Sequence, residues 1–128
     1  MHPTDGVIAN SPGPLDMRYR CQKEEDGTIP ISNQCQQLLE TYGTTTENPE
    51  AYDNISLLSF TSGQTSPLLL IQGMADAAIQ LHSWPLFTEQ MLNCTDCSSV
   101  QVVEVPGAGH PALFQSQMAI DAFNDFVQ

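Results

Sequence analysis

Two side chains combine a reactive type with a telling place in the chain. Asp76 lies three residues beyond Gly73, the residue that closes the apolar run Pro67-Leu68-Leu69-Leu70-Ile71-Gln72-Gly73. His110 comes after the β-branched run Val100-Gln101-Val102-Val103-Glu104-Val105 and the turn Pro106-Gly107-Ala108-Gly109. A carboxylate bonded to an imidazole fixes the tautomer of the ring. It also stabilises the imidazolium that forms when the other ring nitrogen takes a proton. This is the acid–base half of a nucleophilic triad. Taken singly, Asp76 reads as a loop-capping carboxylate and His110 as a turn histidine. Taken together, each just past a strand and with the acid before the base, they read as a pair that works on a third group.

Such a pair needs two neighbouring strands to deliver it. The run 67–73 is unbroken and apolar, the pattern of a parallel strand buried on both faces. The run 100–105 is partly alternating, as expected of a second parallel strand nearer the sheet edge. In parallel α/β sheets the loops leaving the C-terminal strand ends carry the functional groups. Adjacent strands, about 4.8 Å apart, therefore place the two loops side by side. Between them a helix is expected over residues 83–93, capped by Ser83 with Pro85 in its first turn. A last helix is expected from about 112 to 127, with Leu113, Phe114, Met118, Ala119, Ala122, Phe123 and Phe126 near helical spacing. Upstream, Gly6-Val7-Ile8-Ala9-Asn10 reads as a buried strand stopped by Ser11-Pro12-Gly13-Pro14. Residues 15–32 read as a polar surface loop. A helix over 33–42 has Ser32 or Asn33 as cap and Gly43 as stop, and Pro49 opens one further helical turn. The order strand–helix–strand–helix predicts an α/β layered fold with about three parallel strands, right-handed crossovers and no internal repeat.

Composition narrows the partners. The 128 residues include 15 acidic and 3 basic side chains, for a net charge of −12. Nucleic acid and anionic lipid require clustered Lys and Arg, so neither is expected to bind. No apolar stretch is long enough for a membrane helix. Met1–Asp5 lacks the basic and apolar regions of a signal peptide. Cys21, Cys35, Cys94 and Cys97 are even in number, and Asn54-Ile55-Ser56 and Asn93-Cys94-Thr95 fit the N-glycosylation pattern. Both features lean toward an oxidising, secretory compartment. Cys94-Thr95-Asp96-Cys97 has the spacing of a metal knuckle, but Cys21 and Cys35 do not complete it. A loop disulfide or free thiols is the preferred reading, with Cys21–Cys35 as a second staple. No metal or cofactor is expected. His2 and His82 read as surface histidines, and Trp84 with Phe87 as helix-to-sheet packing.

The segments 67–79 and 105–110 resemble the end of the catalytic domain of the prolyl oligopeptidase family (peptidase family S9), an α/β-hydrolase branch. Its members carry a "PLLLIHGxxDxxV" and a "PGxGH" segment at similar separation. Residues 2–11 resemble the stretch after the nucleophile's helix, and residues 48–58 resemble the "NPExYxxxSPL" approach to the acid strand. The likeness leaves out about residues 17–45, and Gln72 stands where family members often have His. The resemblance implies that residues 1–128 are the C-terminal portion of an α/β-hydrolase domain, with Asp76 as acid and His110 as base. It implies a peptide substrate, with an ester substrate or a catalytically dead interaction module as alternatives. No G-x-S-x-G occurs: Ser11 is followed by Pro12, and Ser62 is preceded by Phe60-Thr61. The nucleophile elbow and the oxyanion donors are accordingly expected on an upstream part of the same catalytic domain.

Overall fold

The computed structural model describes residues 6–110 and 112–128. The expectations for His2, for Met1–Asp5 and for the side chain of Phe114 lie outside the described residues. The chain forms two compact units, one of residues 6–12 with Thr61–Gln128, the other Gly13–Phe60.

The first unit is built on three parallel strands, β1 (Val7–Asn10), β2 (Leu68–Gly73) and β3 (Val100–Val105), in the order β1-β2-β3. β2 is the central strand, and all six of its residues are buried. Its continuous apolar sequence is explained by a strand that meets packing on both faces. On one face Leu69, Ile71 and Val105 join Ala108, Leu113 and Ala119 in a core, with Ile8, Val103, Ala122 and Phe126 packed around it. This face is covered by a single 3-10 turn (Ala112–Gln115) and a terminal helix, Gln117–Val127. Residues on a strand alternate between faces, so Leu68, Leu70 and Gln72 belong to the other face. There the helix Ala78–Leu92 presents buried Trp84, Phe87 and Met91. Trp84 Nε1 donates to Glu104 Oε2 at 2.7 Å, which pins this helix to β3.

The second unit is helical: α1 (Met17–Glu25), α2 (Asn33–Tyr42) and α3 (Pro49–Asp53). Its core is Met17, Cys21, Cys35 and Tyr52, with Leu38 and Ala51 against it, and a Cys21–Cys35 disulfide runs through it. The two helices of the first unit follow as α4 (Ala78–Leu92) and α5 (Gln117–Val127).

The three strands and α2 fall where the sequence places them. β1 is not the buried strand expected, however: Val7 and Asn10 are exposed and Ile8 and Ala9 only half-buried, for lack of a second strand neighbour among the described residues. Ser32 caps α2 by accepting from Cys35 N at 3.2 Å. Three further local expectations need correction. Residues 15–32 are not simply a loop, because they contain α1. This helix buries only Met17, Cys21 and the carboxylate-bearing Glu24, so no apolar stripe advertises it. Its start is set by Asp16, whose side chain accepts from Tyr19 N at 3.0 Å. Glu24 is tolerated inside because Ser32 N, Ser32 Oγ and Arg20 Nε all donate to it. Second, α4 begins at Ala78 rather than Ser83, so Pro85 sits within it and Ser83 is buried. Pro85 supplies no helix donor there; packing of Trp84 and Phe87 on the sheet outweighs that loss. Third, the final helix is preceded by the 3-10 turn and starts with Ser116 as cap.

Candidate active site

β2 and β3 end in register, with Gly73 opposite Val105. The backbone continues to pair after the strands stop. Met74 N donates to Val105 O and Ala75 N to Ala108 O, each at 2.9 Å. This clamps the loop bearing Asp76 onto the loop bearing His110. The approach is so close that a Cβ on Gly73 would collide with the backbone oxygen of Ala108, so only glycine fits. Gly107 turns the second loop with a φ of +72°, and Leu113 N bonds Gly109 O at 3.1 Å beyond it.

These loops bring Asp76 and His110 together. His110 Nδ1 lies 3.0 Å from Asp76 Oδ2. The carboxylate is almost fully enclosed, with 6% of its side-chain surface exposed, against 61% for the imidazole. Burial alone would push the Asp76 carboxyl up. The bonds from His110, from Ala77 N at 2.7 Å and from Gln72 Nε2 at 2.9 Å, with the charge of the imidazole, outweigh burial. The carboxyl is held below its ordinary value and is ionised at neutral pH. With Nδ1 bonded to the enclosed carboxylate, Nε2 is the ring nitrogen left for proton exchange, should a reacting group reach it.

Gln72 is a member of this arrangement that the sequence reading missed. It is fully buried on β2. Its Nε2 donates to Asp76 Oδ2 and to Gly73 O at 3.0 Å, and its Oε1 accepts from Gln80 Nε2 at 3.0 Å. Gln80 Nε2 also donates to Pro12 O, tying the end of β1 to the same network. The available signal was a lone amide in an otherwise apolar central strand, since such a group must find partners when buried.

Neither a protein-family model nor a curated protein sequence matches the chain. Solved structures do. A truncated carbohydrate esterase from gut microbiota matches at a TM-score of 0.63 and 22% identity, over 96% of this chain and 41% of that one. The thermophilic esterase Est2 from the planctomycete Thermogutta terrifontis matches at 0.59 and 20%, over the same shares. A puromycin hydrolase matches at 0.56 and 19%, over 94% of this chain and 18% of that one. The fold is that of an α/β-hydrolase. The chain spans about two-fifths of the length of the two esterases it matches.

Within the α/β-hydrolase fold, the remaining singled-out residues fall elsewhere. Ser62 is exposed in the segment that enters β2, at the opposite end of the strand from Asp76. Ser11 ends β1 on the same side as the pair, with a φ of 49°. Its hydroxyl, however, is buried and has no hydrogen-bond partner among the described residues, the His110 imidazole included. His82 is exposed within α4. Cys94 and Cys97 are joined as a disulfide, as are Cys21 and Cys35. Cys94, Asp96 and Cys97 cluster closely enough to hold a metal. The disulfide withholds the two thiolates such a site needs. No helix among the described residues is long and apolar enough to cross a membrane.

Proposed function

We propose that this chain supplies the acid and base of a serine hydrolase, with Asp76 and His110 as two members of a Ser-His-Asp triad. The observation that carries the reading is the 3.0 Å contact between His110 Nδ1 and Asp76 Oδ2, formed at the C-terminal ends of adjacent parallel strands. The serine and the oxyanion donors belong to an upstream part of the same catalytic domain, the serine on the turn that leaves a strand beside β1. His110 Nε2 takes the serine proton as Oγ attacks the substrate carbonyl, then returns it to the leaving group. Asp76 holds the ring in the tautomer that leaves Nε2 unprotonated and stabilises the imidazolium.

The proposed substrate is a peptide bond, in line with the prolyl oligopeptidase resemblance of residues 67–79 and 105–110. A second reading, an ester substrate, is favoured by the fold matches to two esterases. Nucleic acid is not proposed as a partner, given the net charge of −12. The test is made on the whole protein with a fluorophosphonate probe and paired amide and ester substrates. Labelling of a serine outside these residues, with kcat/KM higher on peptides, supports the peptidase. Higher kcat/KM on esters supports the second reading. Absence of labelling and of turnover indicates a non-catalytic module, and labelling of Ser11 or Ser62 overturns the upstream nucleophile.

A further inference from the structure

We propose that Asn54 and Asn93 carry N-linked oligosaccharides. Each opens an acceptor triplet, Asn54-Ile55-Ser56 and Asn93-Cys94-Thr95, without proline in the middle. The fold treats both asparagines alike. Asn54 follows the last residue of α3 and Asn93 follows the last residue of α4. Both are exposed. Among the described residues neither side-chain amide holds a hydrogen bond, so a substituent on Nδ2 displaces nothing. The disulfides supply an independent pointer. All four cysteines are paired, which is the state of an oxidising compartment, and N-glycans are added in such a compartment.

The surroundings fit a bulky, polar cover over apolar surface. Asn54 and Ile55 line a shallow depression of about 350 Å³ together with Leu38 and Tyr42. Tyr42 is 50% exposed and offers a ring face against which a sugar can lie. Beside Asn93, Leu92 is 57% exposed. The donor is an oligosaccharide on a lipid pyrophosphate. Asn Nδ2 bonds to the first sugar's anomeric carbon, the carbon–oxygen bond to the pyrophosphate breaks, and the lipid pyrophosphate leaves as the amide gives up one proton to base.

Timing differs between the sites. The Ser56 hydroxyl, which the transferase must read, is buried in the folded chain: it accepts from Met17 N at 2.7 Å and donates to Tyr52 O at 2.9 Å. Asn54 is therefore modified before its unit folds, whereas Thr95 is exposed. The test is a peptide map of the protein from its native source, before and after peptide N-glycosidase in heavy-oxygen water. Expected are heavy-labelled aspartates at positions 54 and 93, appearing only after the enzyme. Recovery of unmodified asparagine at either position before treatment overturns the proposal for that position. In the same cells, Asn54→Gln and Asn93→Gln should each remove one glycan's mass. Thr95→Ala should match Asn93→Gln while leaving Asn93 in place, and a glycan retained in that variant overturns the assignment.

Discussion

Asp76 collects donors from His110, Gln72 and Ala77 on two oxygens, and this sets what its loss does. In the whole protein, Asp76→Asn should lower kcat on the order of 10⁴-fold, because the amide favours the wrong imidazole tautomer. Steady-state kinetics check it, and a loss below tenfold would remove Asp76 from the triad. The same carboxylate has a pH signature. Its folded pKa lies below the unfolded value of about 3.9. The stability it contributes is therefore complete above the unfolded value and is lost as pH falls through the folded one. Thermal melts should show the wild type losing its advantage over Asp76→Asn below about pH 4, and parallel curves would contradict a carboxylate held charged. Gln72 offers a positioning test. Gln72→Leu removes a donor from the enclosed Asp76 carboxylate, while Gln80 keeps its bond to Pro12 O, at a cost of about 1–3 kcal/mol. It should lower kcat with KM nearly constant. Gln72→His keeps a donor at the position and should recover most of the rate. Equal rates in both variants would make Gln72 merely structural. Asp76 and His110 were legible because each follows a strand that its residue types announce. Gln72 was not, since an amide's role depends on what β2 and α4 bring to it, and sequence spacing does not reveal that.

Between elements, the tightest constraint is the meeting of the two loops at Gly73 and Ala108. Gly73→Ala must push Ala108 O away, breaking the geometry that brings Asp76 to His110. The expected cost is about 1–3 kcal/mol, as for other overpacked sites, with a parallel loss of rate. Denaturant unfolding and activity should both report it, and an unperturbed variant would mean the loops part freely. In the helical unit, the Cys21–Cys35 bridge closes a separation of 14 residues. Replacing both with serine should cost about 3 kcal/mol, against about 2 kcal/mol for Cys94–Cys97, because closure entropy grows with loop length. The elements read correctly from sequence are those whose burial is written in apolar side chains, β2 above all. α1 escaped because it buries Glu24 beside Met17 and Cys21, a pattern that reads as polar until Ser32 is seen to satisfy the carboxylate. The start of α4 escaped for the opposite reason: Ser83 and Pro85 are good starting signals, yet the helix begins a turn earlier, where Gln80 bonds Gln72 and Pro12 O. Local preference is a weak term against such tertiary contacts.

At the scale of the molecule, β1 is the strand with unfinished business. Among the described residues it pairs with β2 alone, and its sequence carries no charge to guard the other edge. Beside it, a cleft of about 180 Å³ is lined by Asn10, Ile71, Leu113, Ile120 and Phe123, and Phe123 is 45% exposed on α5. An apolar edge next to an apolar helix face is what an interior strand looks like when its neighbour is missing. The proposed neighbour is the strand that leads to the nucleophile. Without it, the 128-residue chain should associate through this edge. The net charge of −12 opposes that association over a range set by salt. Screening should therefore favour it, so the associated fraction should rise between low and physiological ionic strength. Size-exclusion chromatography across that range checks the sign, and thermal melting alongside it should show a broad, low transition. Val7→Lys, at an exposed position on the open strand, should restore the monomer by placing a charge on the edge. A wild-type chain that is monodisperse and monomeric at every salt concentration, with a sharp transition at high temperature, would show that β1 needs no further partner, and the upstream strand would have to be withdrawn from the proposed triad.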